Sequence, residues 1–300
     1  MINKRYRAEL ALFSNAVIWG GTFVIIKSAL EDISPMMFLG SRFIFASLII
    51  LPFVLKQLKG ATKSNYREGI ILGIFLFIGF AAQTAGLKYT TATKSAFITG
   101  TFVVFTPLFQ TLLEKRIPSI ANIFGIVLVF LGISFLSSKS GNFLSIFTEL
   151  AENFNFADFL TLICAIFYAV YIVYLDMIST RIDYKFLTFI QIFVTAILAY
   201  GSAFLLGAGG IETVKFDLSL MVIVAILYTS VLATVLTTAL QTKFQRDVSP
   251  TKASLLFSME PIFAAIFAFF LLSEKISIFG LTGCALIFGG IIISEISGKD

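Results

Sequence analysis

Histidine is absent from this chain, and cysteine, proline and charged residues are scarce. The 300 residues include no histidine, 2 cysteines and 6 prolines, and only 13% of them are charged. Without imidazole, the chain has no histidine metal ligand, no Ser-His-Asp triad and no imidazole proton relay. The two cysteines, Cys164 and Cys284, lie inside apolar runs. Their positions favour small packing residues over a disulfide or a redox pair.

Two further chemistries are excluded by missing patterns. No Gly-x4-Gly-Lys-Ser/Thr loop is present, so the chain does not carry the phosphate-binding loop with which many proteins use ATP. No cluster of metal-ligating residues occurs either. We therefore expect no catalytic residues, no metal and no cofactor.

Long apolar runs fill most of the chain instead. Hydrophobic residues make up 58% of the sequence and the mean hydropathy is +0.97, which is too apolar for one soluble core. A helix needs about 20 apolar residues to cross the hydrocarbon layer. The sequence predicts an all-α integral membrane protein with ten transmembrane helices. The predicted spans are 8–27, 34–55, 69–87, 95–114, 119–137, 157–176, 185–206, 218–242, 252–272 and 277–296.

Lysine and arginine lie mostly on one side of these spans. If the N-terminus is inside, 15 of them fall in cytoplasmic segments and 6 on the other side, with Arg42 inside a span. Cytoplasmic loops are enriched in these residues, so both termini are predicted to be cytoplasmic in the cell membrane. The basic N-terminus leads into the first span without a cleavable signal, and we expect that span to stay as an anchor. The pI near 9.1 reflects this pattern, and no nucleic-acid partner is expected.

The second half of the chain repeats the first. Shifting the sequence by 158 residues places 83–133 on 241–291 with 14 identities in 51 positions, well above the roughly four or five that chance would give, which indicates an internal repeat. The predicted domains are a first repeat over 8–137, a linker over 138–156 and a second repeat over 157–296. Five spans per repeat is an odd number, so the repeats would be inverted, an arrangement typical of transporters.

Matching polar and aromatic stripes mark the start of each repeat. Asn15, Trp19 and Thr22 share one helix face at i, i+4 and i+7. At an offset of 149 they correspond to Cys164, Tyr168 and Tyr171, and Arg42 corresponds to Gln191. Trp19 is too deep to be an interfacial anchor, which leaves cavity lining and interhelical packing as the alternatives.

Several short sequence motifs resemble those of a known family. They are Trp19-Gly20, Arg42-Phe43, the run from Gly86 to Ala92, the run from Phe102 to Leu108, and Glu260-Pro261 followed by Leu271-Leu272-Ser273-Glu274-Lys275. With the ten spans and the repeat, the sequence resembles the EamA-domain branch of the drug/metabolite transporter superfamily over nearly its whole length.

The resemblance implies a carrier of small metabolites, often amino acids or drugs and frequently moved outward. It also implies a central cavity lined by spans one to four and six to nine, with spans five and ten peripheral. The first repeat has Phe102-Val103 where the second has Glu260-Pro261. Any charge coupling is therefore expected in the second repeat.

Two ionisable residues lie deep inside predicted spans, Glu260 and Arg42. A charge at that depth costs about 2.5–3.5 kcal/mol on insertion scales. Glu260 is either a coupling group that changes protonation during transport or a structural partner for backbone freed by Pro261. Arg42 could hold a substrate carboxylate, pair with Glu260 or extend to the outer interface.

Other polar residues admit two interpretations. Gln83 and Gln241 close the third span of each repeat, and Tyr228 lies on span eight; Gln83 and Tyr228 are candidate cavity residues, although such groups often only join helices. Lys94 and Lys252 begin spans four and nine and either set orientation or attract a phosphorylated substrate.

Glycines recur in the last span of each repeat. Gly125 with Gly132, and Gly283 with Gly290, are predicted to be close-packing faces.

These observations favour a secondary transporter, an exporter or exchanger that works by alternating access on a small molecule. The predicted coupling residue is Glu260. A phosphorylated-metabolite antiporter, an intramembrane lipid-modifying enzyme, a passive channel and a receptor or scaffold are the alternatives. The lipid bilayer is an expected partner, and a homodimer through spans five and ten stays open.

Overall fold

The protein is helical wherever the structure describes it. The structure, a computed structural model, describes residues 4–137, 154–272 and 278–296. In these ranges the one strand-like pairing is an isolated bridge between Ile33 and Phe216. The α-helices are α1 (Lys4–Gly20), α2 (Thr22–Ala29), α3 (Pro35–Gly60), α4 (Lys63–Tyr89), α5 (Ala92–Gly100), α6 (Phe102–Glu114), α7 (Ile120–Ser137), α8 (Phe156–Ser179), α9 (Tyr184–Ala208), α10 (Leu220–Ser230), α11 (Thr237–Phe244), α12 (Pro250–Phe257), α13 (Glu260–Leu272) and α14 (Ile278–Ile296). A π-helical segment, Val231–Leu236, joins α10 to α11, and a short 3-10 helix, Gln245–Asp247, follows α11.

Many of these helices can cross a membrane. By length and composition, 7 helical segments in the described residues are long and apolar enough. They are Lys4–Ala29, Pro35–Gly60, Lys63–Tyr89, Lys94–Glu114, Phe156–Ser179, Tyr184–Ala208 and Leu220–Asp247. Each overlaps one of the predicted spans one to four and six to eight. Shorter apolar helices, Ile120–Phe135 and Ile278–Ser294, occupy predicted spans five and ten, and predicted span nine is divided between α12 and α13. The all-helical prediction is confirmed for the described residues.

The helices run past the predicted apolar windows because polar residues cap them outside the hydrocarbon layer. Helix α4 begins at Lys63 rather than 69, where Thr62 Oγ1 accepts a hydrogen bond from the Asn65 N–H at 3.2 Å. Helix α8 begins with a capping box in which Asn155 and Asp158 satisfy each other's backbone N–H groups at 3.0 Å. The predicted linker 138–156 lies outside the described residues up to 153, as does Ser273-Glu274-Lys275.

Helices from the two halves pack in reciprocal pairs. Helix α1 packs against α11 and α13 of the second half, and α8 packs against α4 and α6 of the first half. The pairs α3 with α9 and α7 with α14 also join the halves. The buried apolar core lies between these pairs, and the large exposed apolar side chains point away from it.

Four helical segments are interrupted. Gly21 separates α1 from α2, Thr101 separates α5 from α6, and residues 258–259 separate α12 from α13. Thr101 and Met259 align when the sequence is shifted by 158 residues. The fourth interruption is the π-helical segment. Next to the interruption between α1 and α2, a Cβ on Gly20 would lie 2.6 Å from Phe263 Cβ, so glycine is required where α13 crosses α1.

The glycine faces of α7 and α14 meet as predicted. A Cβ on Gly125 would lie 2.6 Å from the Gly290 carbonyl oxygen, and one on Gly132 would lie 2.7 Å from the Gly283 carbonyl oxygen. Because 125 lies near 290 and 132 near 283, the helices are antiparallel. The predicted close packing is confirmed.

Neighbouring glycines on α14 provide a matched test of this contact. Gly290→Ala places a methyl group 2.6 Å from the Gly125 carbonyl oxygen, and we expect the overpacking to destabilise the protein by roughly 1–3 kcal/mol. Gly289→Ala meets nothing within 4 Å and should be neutral or slightly stabilising, because alanine favours a helix over glycine. Thermal unfolding in detergent compares the two; equal midpoints would argue against the contact.

Candidate functional site

A small cavity lies where the interrupted helices meet. It holds about 40 Å³ of space for water molecules, which is room for a few waters and less than an organic ligand needs. Its lining residues are Trp19, Thr22, Arg42, Gly79, Phe80, Gln83, Thr99, Cys164, Tyr168 and Glu260. Ten residues are predicted from the sequence to line the cavity: Asn15, Trp19, Thr22, Arg42, Gln83, Tyr168, Tyr171, Gln191, Tyr228 and Glu260. Six of them, Trp19, Thr22, Arg42, Gln83, Tyr168 and Glu260, are brought together here.

Arg42 is buried at the cavity and does not extend to an interface. Its residue exposure is 1%. Its Nε donates to Thr234 Oγ1 at 2.6 Å, and its Nη2 donates to the Ala233 carbonyl oxygen at 2.8 Å. The guanidinium carbon lies 4.7 Å from the centre of the Phe80 ring, an arrangement that stabilises a desolvated cation. The sequence left open that the Arg42 side chain extends to the outer interface, and that alternative does not fit this burial.

Glu260 is the first residue of α13, and its side chain lines the same cavity as Arg42. The residue is 8% exposed. Among the described residues, no hydrogen bond or salt bridge joins Glu260 to Arg42 or to the backbone freed by Pro261. A carboxylate near the start of a helix is favoured by the helix dipole. The site therefore contains one carboxyl group and one guanidinium group that do not neutralise each other.

The two predicted aromatic stripes meet edge to face. The rings of Trp19 and Tyr168 lie 5.9 Å apart at 78°. Phe257 packs on Trp19 at 5.1 Å, and Phe102 packs on Tyr168 at 5.3 Å. Such packing fixes both rings, and their exposed edges form apolar walls.

Two hydrogen bonds order the polar wall. Gln83 Nε2 donates to Thr99 Oγ1 at 3.2 Å, and the Thr22 hydroxyl donates to the Trp19 carbonyl oxygen at 2.7 Å. These side chains therefore belong to helix contacts as well as to the cavity.

Four predicted cavity residues lie behind the wall and join helices. Asn15 Nδ2 donates to the Thr237 carbonyl oxygen at 3.0 Å. Tyr171 donates to Gln191 Oε1 at 2.7 Å, and the Tyr228 hydroxyl donates to the Ile18 carbonyl oxygen at 2.7 Å. None of these four residues is part of the cavity lining.

Four lining residues were not predicted as cavity residues: Gly79, Phe80, Thr99 and Cys164. Gly79 and Phe80 precede Gln83 by four and three residues, which places all three on one face of α4. Extending that face from Gln83 would have found them. Cys164 belongs to the same stripe as Tyr168 and Tyr171, but the sequence favours a packing role for it, so it is absent from the predicted cavity residues.

A charged network ties four helices together beyond the cavity. Lys94 Nζ forms a 2.6 Å ion pair with Asp158 Oδ2, and the Thr90 hydroxyl donates to Asp158 Oδ1 at 2.9 Å. Lys27 Nζ donates to the carbonyl oxygens of Leu87, Lys88 and Thr90 at 2.8–2.9 Å, which caps the C-terminus of α4. Lys94 and Asp158 precede the lining residues Thr99 and Cys164 by about 7.5 and 9 Å of helix.

Comparisons with known proteins agree with one another. The sequence profile of the EamA-like transporter family matches residues 6–138 and 155–295. A protein of Archaeoglobus fulgidus named an uncharacterized transporter is 35% identical over 290 residues, which cover 97% of this chain and 86% of that one. A Chlamydia muridarum protein named an S-adenosylmethionine/S-adenosylhomocysteine transporter is 31% identical over 114 residues, 36% of this chain and 35% of that one.

A solved crystal structure shares the fold. Its TM-score is 0.76 at 16% sequence identity, and the match covers 98% of each chain. The family profile spans most of the sequence, and both relatives are named as transporters. The chain belongs to the EamA-like transporter family.

Proposed function

We propose that this chain is a secondary carrier, an exporter or exchanger, of small zwitterionic organic solutes, with amino acids and amphipathic drugs as its class. The observation that carries the proposal is the cavity that holds Arg42 and Glu260 without a salt bridge between them. A guanidinium binds a carboxylate through two parallel hydrogen bonds. A carboxylate binds an ammonium group in the same way that it binds lysine.

Aromatic walls complete the match to such a solute. Trp19, Phe80 and Tyr168 line the same cavity as the two charged groups and suit an apolar or aromatic side group. The name of the Chlamydia muridarum relative, which matches 36% of this chain, supports this class, because both of its named substrates contain an amino-acid group.

Transport requires the cavity to enlarge. The cavity volume of about 40 Å³ has room for water and not for an amino acid. A ligand therefore enters only when the two halves separate. We propose that the halves are inverted five-helix repeats and that ten spans rock about this site by alternating access. The reciprocal packing of α1 and α8, the antiparallel glycine contact of α7 and α14, and the two matches of the family profile support this arrangement. The lysine and arginine distribution supports cytoplasmic termini.

The phosphorylated-metabolite alternative has less support. It relied on Lys94 and Lys252, and Lys94 is bound to Asp158 rather than directed at the cavity lining. A sugar phosphate would also leave Glu260 facing an anion.

Counterflow in liposomes tests the proposal. Vesicles containing the purified protein are loaded with unlabelled L-phenylalanine, and uptake of labelled L-phenylalanine is followed. We expect the label to accumulate transiently above equilibrium, which an enzyme or a channel does not produce. Vesicles loaded with glucose 6-phosphate serve as the comparison. Counterflow with the sugar phosphate and none with phenylalanine would replace the zwitterion by a phosphorylated substrate.

A further inference from the structure

The π-helical segment between α10 and α11 exposes one backbone carbonyl. The Thr237 N–H donates to the Leu232 carbonyl oxygen, five residues back. In an α-helix it would donate to the carbonyl of Ala233, four residues back. The shift therefore removes the usual helical partner of the Ala233 carbonyl, which lies in the membrane where an unsatisfied carbonyl is costly.

Two side chains from the first half donate hydrogen bonds to the Ala233 carbonyl oxygen. Arg42 Nη2 donates to it at 2.8 Å. Trp19 Nε1 lies 3.4 Å from it and donates also to Thr237 Oγ1, at 3.2 Å. The next residue, Thr234, accepts from Arg42 Nε at 2.6 Å. The Ser230 hydroxyl also donates to the Arg42 backbone carbonyl at 2.9 Å. One turn of irregular helix thus holds both the cation and the indole of the cavity.

This arrangement leaves part of the guanidinium for a ligand. Arginine has five N–H donors, and two of them are used on Thr234 and Ala233. No hydrogen bond from Nη1 occurs among the described residues, and Arg42 lines the cavity. Because Nε and Nη2 are bound to Thr234 and Ala233, the guanidinium plane is fixed, and with it the direction of the remaining N–H donors.

We propose that Thr234 and the Ala233 carbonyl are positioning groups for Arg42, and that the π-helical register makes the carbonyl available for that role. The identity of the ligand that Arg42 meets rests on the proposed function; the positioning itself is a property of the protein without a ligand. Neither Ala233 nor Thr234 is part of the cavity lining, so each acts through Arg42.

Arginine modification tests the positioning without a ligand. The purified full chain is treated with phenylglyoxal, and mass spectrometry follows modification of Arg42, with the exposed Arg181 as internal reference. We expect Thr234→Val to modify Arg42 about tenfold faster, because a hydrogen bond to a charged group contributes about that factor. Thr234→Ser keeps the acceptor oxygen and should match the wild type.

A threonine near the end of α10 supplies the control. Thr229 is fully buried and its hydroxyl bonds to the Ala225 carbonyl oxygen within its own helix, at 2.6 Å. Thr229→Val should leave the Arg42 rate unchanged. Equal rates in Thr234→Val and wild type, or equal acceleration by Thr229→Val, would overturn the role of Thr234.

A deletion tests the backbone half of the proposal. A π turn contains one residue more than an α turn, so deletion of Leu232, which is 39% exposed, should restore the α register and return the carbonyl to its helical partner. We expect faster modification of Arg42 and a shifted emission maximum from Trp19, the one tryptophan of the chain. A properly folded deletion variant with wild-type rate and emission would refute the role of the register.

Solute discrimination then links the positioning groups to transport. In counterflow, Thr234→Val should raise the half-saturation concentration about tenfold for L-phenylalanine and for the anion 3-phenylpropionate, and leave the cation phenethylamine unchanged. A merely structural defect would weaken all three alike and would count against the proposal. If the modification results hold and none of the three solutes moves in the wild type, the proposed substrate class fails while the positioning of Arg42 stands.

Discussion

Replacing Glu260 by glutamine should weaken the transport of cationic and zwitterionic solutes by about tenfold to a hundredfold, the range expected when a charge-assisted hydrogen bond is lost. The carboxyl group lies in the cavity without a salt bridge in the described part of the chain. A charge at that depth costs a few kcal/mol, and under the proposed function its partner arrives with the solute. Glutamine keeps the shape and removes the charge.

The loss should depend on the charge of the solute. Glu260→Gln is expected to raise the half-saturation concentration for L-phenylalanine and phenethylamine and to spare 3-phenylpropionate. Arg42→Gln should show the opposite selectivity and spare phenethylamine. Such a crossed pattern follows only when each charge meets its own end of the solute. The readout is half-saturation in counterflow, with Asp217→Asn, a carboxylate on an exposed loop, as the control.

Proton dependence supplies an independent check on Glu260. A proton and the solute's ammonium group compete for the same carboxylate, so wild-type counterflow of phenethylamine should fall as the pH is lowered. Glu260→Gln has no carboxylate to protonate and should lose this dependence. An unchanged pH profile in the variant would remove Glu260 from the site, whatever its effect on rate.

Sequence reasoning located the charged and aromatic parts of this site. Trp19 and Tyr168 were found because the repeat places them at equivalent positions on two helices, and the structure brings their rings together. Arg42 and Glu260 were found because ionisable residues are costly inside a span. These signals depend on side-chain type, which the sequence records directly.

Backbone features of the site left no such signal. Ala233 acts through its carbonyl oxygen, and any residue could provide that atom. The register shift in Val231–Leu236 occurs in an apolar helix whose composition resembles its neighbours. Likewise, Asn15 and Tyr171 share a face with Trp19 and Tyr168 in sequence, yet their side chains are used between helices. A stripe defines a helix face, and packing decides which part of the face is open.

Neutralising the Lys94–Asp158 pair should open one end of the protein. The pair joins α5 of the first half to α8 of the second, so it must separate if the halves rock apart at that end. Asp158 is fully buried and a partly buried pair of this kind contributes more than a surface one. Asp158→Asn removes the charge and keeps one of the two oxygens, which can still accept from the Asn155 N–H, while its NH2 group can donate to the Thr90 hydroxyl.

Cys164 reports such an opening because it lines the cavity and is 4% exposed. In a Cys284→Ala background, a membrane-impermeant methanethiosulfonate is added on the side of the membrane where Lys94 lies. We expect Asp158→Asn and Lys94→Met each to label Cys164 about tenfold faster than the parent, and the double variant no faster than either single one, since both changes remove one interaction. Lys215→Met, which removes an exposed ion pair with Asp217, should leave labelling unchanged. Unaltered labelling in all the variants would mean that the pair only anchors α8, and that separation of the halves at this end is controlled by other contacts.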